Sequence, residues 1–475
     1  MTNVILISLD TTRADHLSCY GYHRKTSPHL DQIAAEGVLF TDFFSPHIPT
    51  FPGHTTMMTG KDIYAHQVTS QATQPEPAEG VRMLAEILRE QGFFTAAADN
   101  LGRWFARGFE YIEPYGWDTS NRNELRKGEA VLAAALRVLT RAANQDKPFF
   151  LFFHFWDPHT PYLPPAPFSR MFYAGDEKAP DNPSMDAVWE FEAFNRYFAE
   201  WMPDVTDIEF PKAQYDAEIA YLDACLAHLI THLDALGLSE DTCLVITADH
   251  GEELDEHGCW FDHHGLYDTN VHIPLILRCP GLLPSGVRIG GLTQMLDLAP
   301  TILDILGLGD LAEREGMMGR SLIPLIHSPS STQRGTTDWI HITENTWMKK
   351  RGIRTATWKL IVPLETPDLH GRSEVELYDL TNDPGELTNV AETYPEVTEQ
   401  LKAKLESWVA RRVEETGLPD PLPIQPIPLR RIGRMDAALP RDKRLTGEEK
   451  EPKGDEKQPE GDFIGYEREE AQKNG

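Results

Sequence analysis

Basic residues are scarce in this chain: 44 Lys and Arg stand against 74 Asp and Glu, a formal net charge of -30 over 475 residues. That imbalance opposes any sequence-independent grip on nucleic acid or on an anionic membrane. Long apolar runs are lacking where a targeting segment would stand. The apolar stretch of the opening "NVILISLD" is shorter than the core of a secretory signal, about 7–15 residues, or a membrane span of about 20. A cytoplasmic protein without a membrane anchor is therefore expected. Cysteine is sparse as well. Cys19, Cys225, Cys243, Cys259 and Cys279 form an odd set with no C-x-x-C pair, so neither a disulfide framework nor a zinc ribbon is suggested and reduced thiols are the default.

What the chain does have is a hydrophobic content of 41%, enough at this length to build one or two real cores. "NVILISL" and "DTCLVITADHG" are β-rich apolar runs that end in Asp, the pattern of buried parallel strands delivering polar residues at their carboxyl ends. Helical patterns lie between them: "SPHLDQIAAEG", "GVRMLAEILREQG" and "YDAEIAYLDACLAHLITHLDALG", each closed by Gly as a helix C-terminus usually is. Alternating strands and helices predict an α/β sandwich whose ligands gather at the carboxyl ends of the strands. Beyond residue 335 the texture changes to short strands, "DWIHIT", "GIRTATWKLIVPL" and "EVELYDL", followed by one amphipathic helix, "YPEVTEQLKAKLESWVARRVEE". Three regions result: a main domain over 1–334, a smaller sheet-plus-helix subdomain over 335–416, and a tail over 417–475. The tail, Pro-rich and then charged, is expected to wrap the surface or stay disordered.

Three stretches carry chemistry. Asp10 follows the first strand, and Asp249 with His250 follows "CLVITA", so two carboxylates and an imidazole can meet at one sheet edge as a divalent cation requires. In "SPHIPTFPGHTTMMTG", prolines bracket Thr50 and His54 follows. A helix starting there would place the Thr50 hydroxyl at an anion-binding N-terminus, with Pro52 at a favoured first-turn position. Against a metal the hydroxyl becomes a nucleophile; without one, Thr50 is an ordinary helix cap. Histidines cluster in "HFWDPHTPY" and "DHGEELDEHGCWFDHHGLYD", where His154, His159, His250, His257, His263 and His264 are six of the chain's 18. His154, inside an apolar run, reads as structural.

On these residues the chain resembles the sulfatase family of the alkaline phosphatase superfamily, from Asn3 to about Trp408. "ILISLDTTRADHLSCYGY", "TFPGHTTMMTG", "WDPHTPYLPP", "LVITADHGEELDEHG", "DLAPTILDILGL" and "ELYDLTNDPGELTNV" stand in the family's order. The resemblance implies an alkaline-phosphatase-like sandwich, with a large mixed, mainly parallel sheet flanked by helices and a smaller C-terminal sheet-and-helix part. It further implies that Asp10, Thr50, Asp249 and His250 hold the metal and that Thr50 is the nucleophile. By the same match His159 faces the substrate oxyanion or leaving group, and His66 supports the nucleophile. His264 fits the substrate-group position best, with His263 as the rival, and His257 stands in the family's "EHG" turn.

The departures from the family pattern are chemical. Typical sulfatases carry Cys or Ser at the nucleophile position, within C/S-x-P-x-R, for conversion to formylglycine. Here that position is Thr50 and the Arg position is His54, so no formylglycine is expected. Thr11 replaces the second Asp of the family's opening, as in phosphonate monoester hydrolases. Asp157 lacks the Asp-x-x-x-His spacing of two-metal phosphodiesterases, which favours one divalent ion (Mn, Mg or Ca). The expectation is a hydrolase cleaving a small-molecule sulfate ester or phosphate/phosphonate ester through a Thr50 ester. The alternatives are a phosphodiesterase or phosphonate monoester hydrolase without sulfatase activity, a transferase that passes the Thr ester to an alcohol, and a non-catalytic binding protein. Residues 168–211, mixed in Pro, acidic and aromatic residues, are the expected lid or homo-oligomer contact.

Overall fold

The computed structural model describes residues 2–71, 76–121, 123–327 and 335–427. Among them, nine strands form one sheet and five another. The large sheet runs, edge to edge, through Thr293–Gln294, Val38–Phe44, His272–Arg278, Thr242–Thr247, Asn3–Leu9, Phe149–Phe155, Phe94–Ala98 and Tyr111–Glu113. Val287–Ile289 pairs with Val38–Phe44 as well. Pairing is parallel except around His272–Arg278, which is antiparallel to both neighbours.

The central strand Asn3–Leu9 is buried along its whole length, between Phe149–Phe155 and Thr242–Thr247. Apolar side chains on both faces explain why its sequence shows no alternation. Val4 and Leu6 point to one face, where Met57, Leu84, Leu88 and Ile302 from three helices close over them. Toward the other face, Lys127–Ala143 packs on the strands and on the long helix Glu209–Ala235, which also meets Pro28–Ala35. Burial of one Phe or Leu side chain in such a layer contributes about 1.5–3 kcal/mol. The layers thereby fix the carboxyl ends of Asn3–Leu9 and Thr242–Thr247 side by side.

The small sheet consists of Glu376–Asp379, Trp358–Pro363, Lys349–Thr355, Trp339–Asn345 and His47–Ile48. Its last strand comes from far upstream: His47 and Ile48 pair in parallel with Thr343 and Glu344, and Pro49 leads directly into the helix Thr50–Thr59. The boundary read at 334/335 is thus crossed by a strand that the sequence pattern did not reveal. Helix Pro395–Thr416 packs on this sheet and ends at Gly417 in the left-handed conformation. The Pro-rich stretch turns back onto the protein as far as 427, where Gln425 bonds Thr69 and the Gln67 carbonyl, and Arg351 pairs with Asp420 at 2.6 Å. The charged remainder of the tail lies outside the described residues.

One expectation is corrected. Cys243, in the strand Thr242–Thr247, and Cys279, directly after the neighbouring strand His272–Arg278, are 4.2 Å apart at Cα and disulfide-bonded. Their 36-residue separation and the odd cysteine count concealed the pair. Cys19, Cys225 and Cys259 are free. No helix among the described residues is long and apolar enough to cross a membrane.

Candidate active site

The two strand ends and the helix Thr50–Thr59 meet at one point. One ligand atom each from Asp10, Asp249 and His250 lies within 4.8 Å of the others, and all three residues are fully buried. Thr50 Oγ1 is 3.3 Å from His250 Nε2. The helix comes this close to the sheet because residue 53 is Gly: a Cβ there would stand 3.1 Å from the Asp249 carbonyl and 3.4 Å from that of His47.

Each carboxylate hydrogen-bonds the protein through one oxygen only; the other oxygen of Asp249 lies 3.3 Å from His250 Nε2 and 3.5 Å from His54 Nδ1. Asp249 Oδ1 accepts the backbone N–H groups of Thr11 and His250, and Asp10 Oδ2 faces His154 Nε2 at 3.0 Å. Asp249 Oδ2 and Asp10 Oδ1 are buried without a hydrogen-bond partner. His250 Nδ1 lies 2.9 Å from the Gly251 carbonyl; donating there, it leaves Nε2 with a lone pair toward Thr50. Buried oxygens left unpaired are costly. Two such oxygens, one imidazole lone pair and a hydroxyl form the donor set of a divalent cation, so the residues fit the metal that the sequence pattern implies.

The surrounding histidines divide by position. His154, read from the sequence as structural, bridges Asp10 and Asp99 at 3.0 and 3.3 Å. Burial opposes its charge, but those two carboxylates outweigh burial and lift its pKa to about 9. Asp10 is correspondingly lowered: burial alone would raise it, yet the His154 bond and nearby imidazoles prevail. His54 lies on the helix beside Thr50, with Nδ1 2.9 Å from the Thr50 carbonyl and Nε2 2.9 Å from Ser8 Oγ. Burial lowers its pKa, so it acts as a neutral brace between strand and helix.

His159 and His263 form the mouth. Their ring centres are 5.1 Å apart, and His263 stacks on His250 at 4.6 Å. Burial pulls His159 down to about 4, while Asp262 and Glu252 overcome burial and raise His263 to about 9. A neutral and a cationic imidazole thus face one another, the arrangement that separates base from acid.

The remaining expected residues point elsewhere. His66 bonds Thr56 Oγ1 at 3.1 Å and accepts the Val68 N–H, bracing the helix Thr50–Thr59. His257 spans Glu253 and the Gly385 carbonyl and stacks on Tyr267. His264 turns to His370, with 2.9 Å between their Nε2 atoms. Of the two rivals, His263 stacks on His250 of the Asp10–Asp249–His250 cluster, and His264 points to His370. Asp157 pairs with the buried Lys127 at 3.4 Å, and Lys127 also donates to the His159 carbonyl at 2.6 Å. Nothing in the sequence marks Lys127 beyond its place at the start of the helix Lys127–Ala143. A cavity of about 450 Å3 lined by Asp62, Trp339, His341 and Trp408 contains none of Asp10, Thr50, Asp249 or His250.

Comparison with known proteins agrees with this architecture. The sulfatase family model matches residues 2–308, and that of the N-sulphoglucosamine sulphohydrolase C-terminal region matches 255–411. An N-acetylglucosamine-6-O-sulfatase of Bacteroides thetaiotaomicron is 24% identical, over 82% of this chain and 82% of its own. A multifunctional alkaline phosphatase superfamily protein of Trinickia caryophylli is 27% identical, over 68% and 77% respectively. Among solved structures, the phosphonate monoester hydrolase of Agrobacterium radiobacter superposes with a TM-score of 0.66 at 22% identity, covering 87% of this chain and 96% of that one. A structure in complex with D-glucosamine-2-N,6-O-disulfate, its substrate, superposes at 0.64 and 21% identity, covering 89% and 100%.

Proposed function

Because this chain belongs to the sulfatase family of the alkaline phosphatase superfamily, whose members hydrolyse ester bonds, we propose that it is a metal-dependent hydrolase in which Thr50 attacks a sulfate ester or a phosphate or phosphonate ester. The observation that carries this reading is the hydroxyl of Thr50 beside His250, facing two buried carboxylate oxygens with no partner. A divalent ion (Mn, Mg or Ca) held by Asp10, Asp249, His250 and Thr50 would supply the acidity that turns the hydroxyl into a nucleophile at neutral pH.

Thr50 Oγ1 then forms a bond to sulfur or phosphorus as the bond to the alcohol oxygen breaks on the opposite side. The Thr50 hydroxyl gives its proton to solvent, while cationic His263 faces the equatorial oxygens and protonates the leaving alcohol oxygen; in the second step His263 takes a proton back from the attacking water and Thr50 regains one from solvent on release. Water attacks the same centre in a second in-line step and releases Thr50. Formylglycine has no part here, since residue 50 is Thr. Interception of the Thr ester by an alcohol would make the protein a transferase, and product analysis with an added alcohol decides between them. The Cys243–Cys279 disulfide sits against the expectation of a cytoplasmic protein, because such bonds persist in oxidising compartments.

The test is Thr50→Ala in metal-replete protein, assayed on amino-sugar sulfates, nitrophenyl sulfate, phosphodiesters and phosphonate monoesters. Loss of roughly 10^4-fold or more in kcat on whichever ester the parent cleaves is expected, with the fold intact. Turnover retained by that variant overturns the assignment of the nucleophile.

A further inference from the structure

Next to the candidate active site, the chain brings together a second set of metal-binding side chains. Cys259 and His264 come from the stretch after Asp249, and His370 from the loop between Trp358–Pro363 and Glu376–Asp379. Their ligand atoms lie within 4.8 Å of one another, with Cys259 Sγ 3.5 Å and His264 Nε2 2.9 Å from His370 Nε2. Cys259 and His264 are fully buried and His370 partly so. We propose that Cys259, His264 and His370 bind a Zn2+ ion that fastens the loop of the small sheet to the turn carrying His263, with water completing the coordination.

The geometry is close to what that ion demands. Tetrahedral Zn2+, with Zn–S about 2.3 Å and Zn–N about 2.0–2.1 Å, holds sulfur and nitrogen ligands about 3.5 Å apart and two nitrogens about 3.3 Å apart. The thiol already stands at that separation, and the imidazoles need to open by a few tenths of an ångström. Behind His264, its buried Nδ1 has no hydrogen-bond partner and faces Asp262 Oδ1 at 3.8 Å. A carboxylate in that position orients a metal-bound imidazole. The ring of Phe191 stacks on His370 at 4.9 Å, and Phe194 packs on His264 at 5.6 Å, so residues of the 168–211 segment cover the cluster.

The nearby cations do not compete for these donors. Lys350 is held by Asp368 at 2.9 Å and Glu376 at 3.0 Å, and Arg372 donates to the Tyr267 hydroxyl. On binding, the Cys259 thiol gives its proton to solvent, and the hydrogen between the two Nε2 atoms moves to an Nδ1, so both imidazoles stay neutral ligands. Donor chemistry separates the two sites. The oxygen-rich group around Asp10 suits a hard cation, whereas one thiolate with two imidazoles selects zinc.

The test uses the full chain stripped with chelator and titrated with Co2+, then Zn2+. A thiolate-to-cobalt charge-transfer absorption is expected to saturate at one ion per chain and to be displaced by Zn2+. It should survive in Asp249→Asn, Cys19→Ser and Cys225→Ser and vanish in Cys259→Ser. Absence of the band in the parent protein overturns the proposal, as does its persistence in Cys259→Ser; in either case the 2.9 Å contact is a plain histidine hydrogen bond. Should Cys259→Ser fail to fold, His370→Gln on the partly exposed loop decides the matter: Zn2+ affinity is expected to fall by about 100-fold or more, and unchanged affinity overturns the assignment. Asp249→Asn keeps this test separate from the catalytic reading.

Discussion

The carboxyl end of the large sheet and the interior of the small one both bury charge, and they neutralise it in opposite ways. In the small sheet every buried cation discussed here has anionic partners. Lys359 lies 2.6 Å from both Asp268 and Glu386, Arg354 reaches Asp268 at 2.9 Å, and Lys350 sits between Asp368 and Glu376. At the large sheet's end, Asp10 and Asp249 each keep one buried oxygen without a hydrogen-bond partner, and the neighbours of Asp249 Oδ2 are imidazoles, not Lys or Arg. Desolvation penalises an unpaired charge by several kcal/mol, so charge is buried where something compensates it. In the small sheet the compensation is covalently part of the chain. At the candidate active site, on the proposed reading, it arrives from solution as the metal ion.

The largest way to break this contrast is to unpair the small sheet. Lys359→Met leaves the buried Glu386 without its cation, while Asp268 keeps Arg354, and a loss of about 3–5 kcal/mol is expected in urea unfolding. A loss below about 1 kcal/mol would mean that these carboxylates are compensated elsewhere. The next effect comes from filling the other region. A divalent cation at 100 times its Kd stabilises by about 2.7 kcal/mol through mass action. The rise in Tm with Mn2+, Mg2+ or Ca2+ is expected in the parent protein and absent in Asp249→Asn; an equal rise in both would place the ion outside the active site.

The two regions also differ in how far the sequence discloses them. Asp10 and Asp249–His250 are legible because each closes an apolar run, and a buried parallel strand has few other reasons to end in acid. Thr50 is legible by its prolines. His154 is not: inside "FFLFFHF" it reads as core, and its partners Asp10 and Asp99 are 144 and 55 residues away. Where His263 and His264 point is likewise set in three dimensions, since neighbouring side chains leave the backbone on different sides and the partners of each, His250 and His370, are fixed by different sheets. The α/β alternation and the second, smaller sheet follow from periodicity alone. The strand His47–Ile48 is too short to leave a pattern, although it is what ties the Thr50 turn to the small sheet.

Acid probes the comparison at a smaller scale, through Glu256, which lies beside Arg13 at 2.8 Å in the turn after the metal-ligand stretch. Burial alone would raise its pKa, but the Arg13 charge and backbone N–H donors bring it from 4.5 to about 2. A carboxylate lowered on folding contributes stability that is complete above its unfolded pKa and is lost as pH falls through the folded one. The contribution therefore disappears between about pH 4.5 and 2. With Glu256 partly open to solvent, screening reduces its contribution to about 1–2 kcal/mol. Glu256→Gln should flatten the stability profile across that window by this amount, and an unaltered acid limb would show that Arg13 is satisfied by Asp15 alone.

The smallest effect is expected where charge is paired but not buried. Arg170 meets Glu177 at 3.0 Å, with 51% and 25% of the two side chains exposed. In this setting water already solvates both groups, so the Coulomb gain is small and is offset by the entropy of holding two long side chains together. Arg170→Ala should change unfolding free energy by no more than about 0.5 kcal/mol, and added salt should leave the difference between parent and variant nearly constant. A loss approaching that of Lys359→Met would mean that the pair anchors the 168–211 segment, whose Phe191 and Phe194 cover His370 and His264. Hydrogen exchange across residues 186–201 separates the two outcomes: protection there stays at the parent level if the aromatic contacts hold the segment, and falls if the ion pair does.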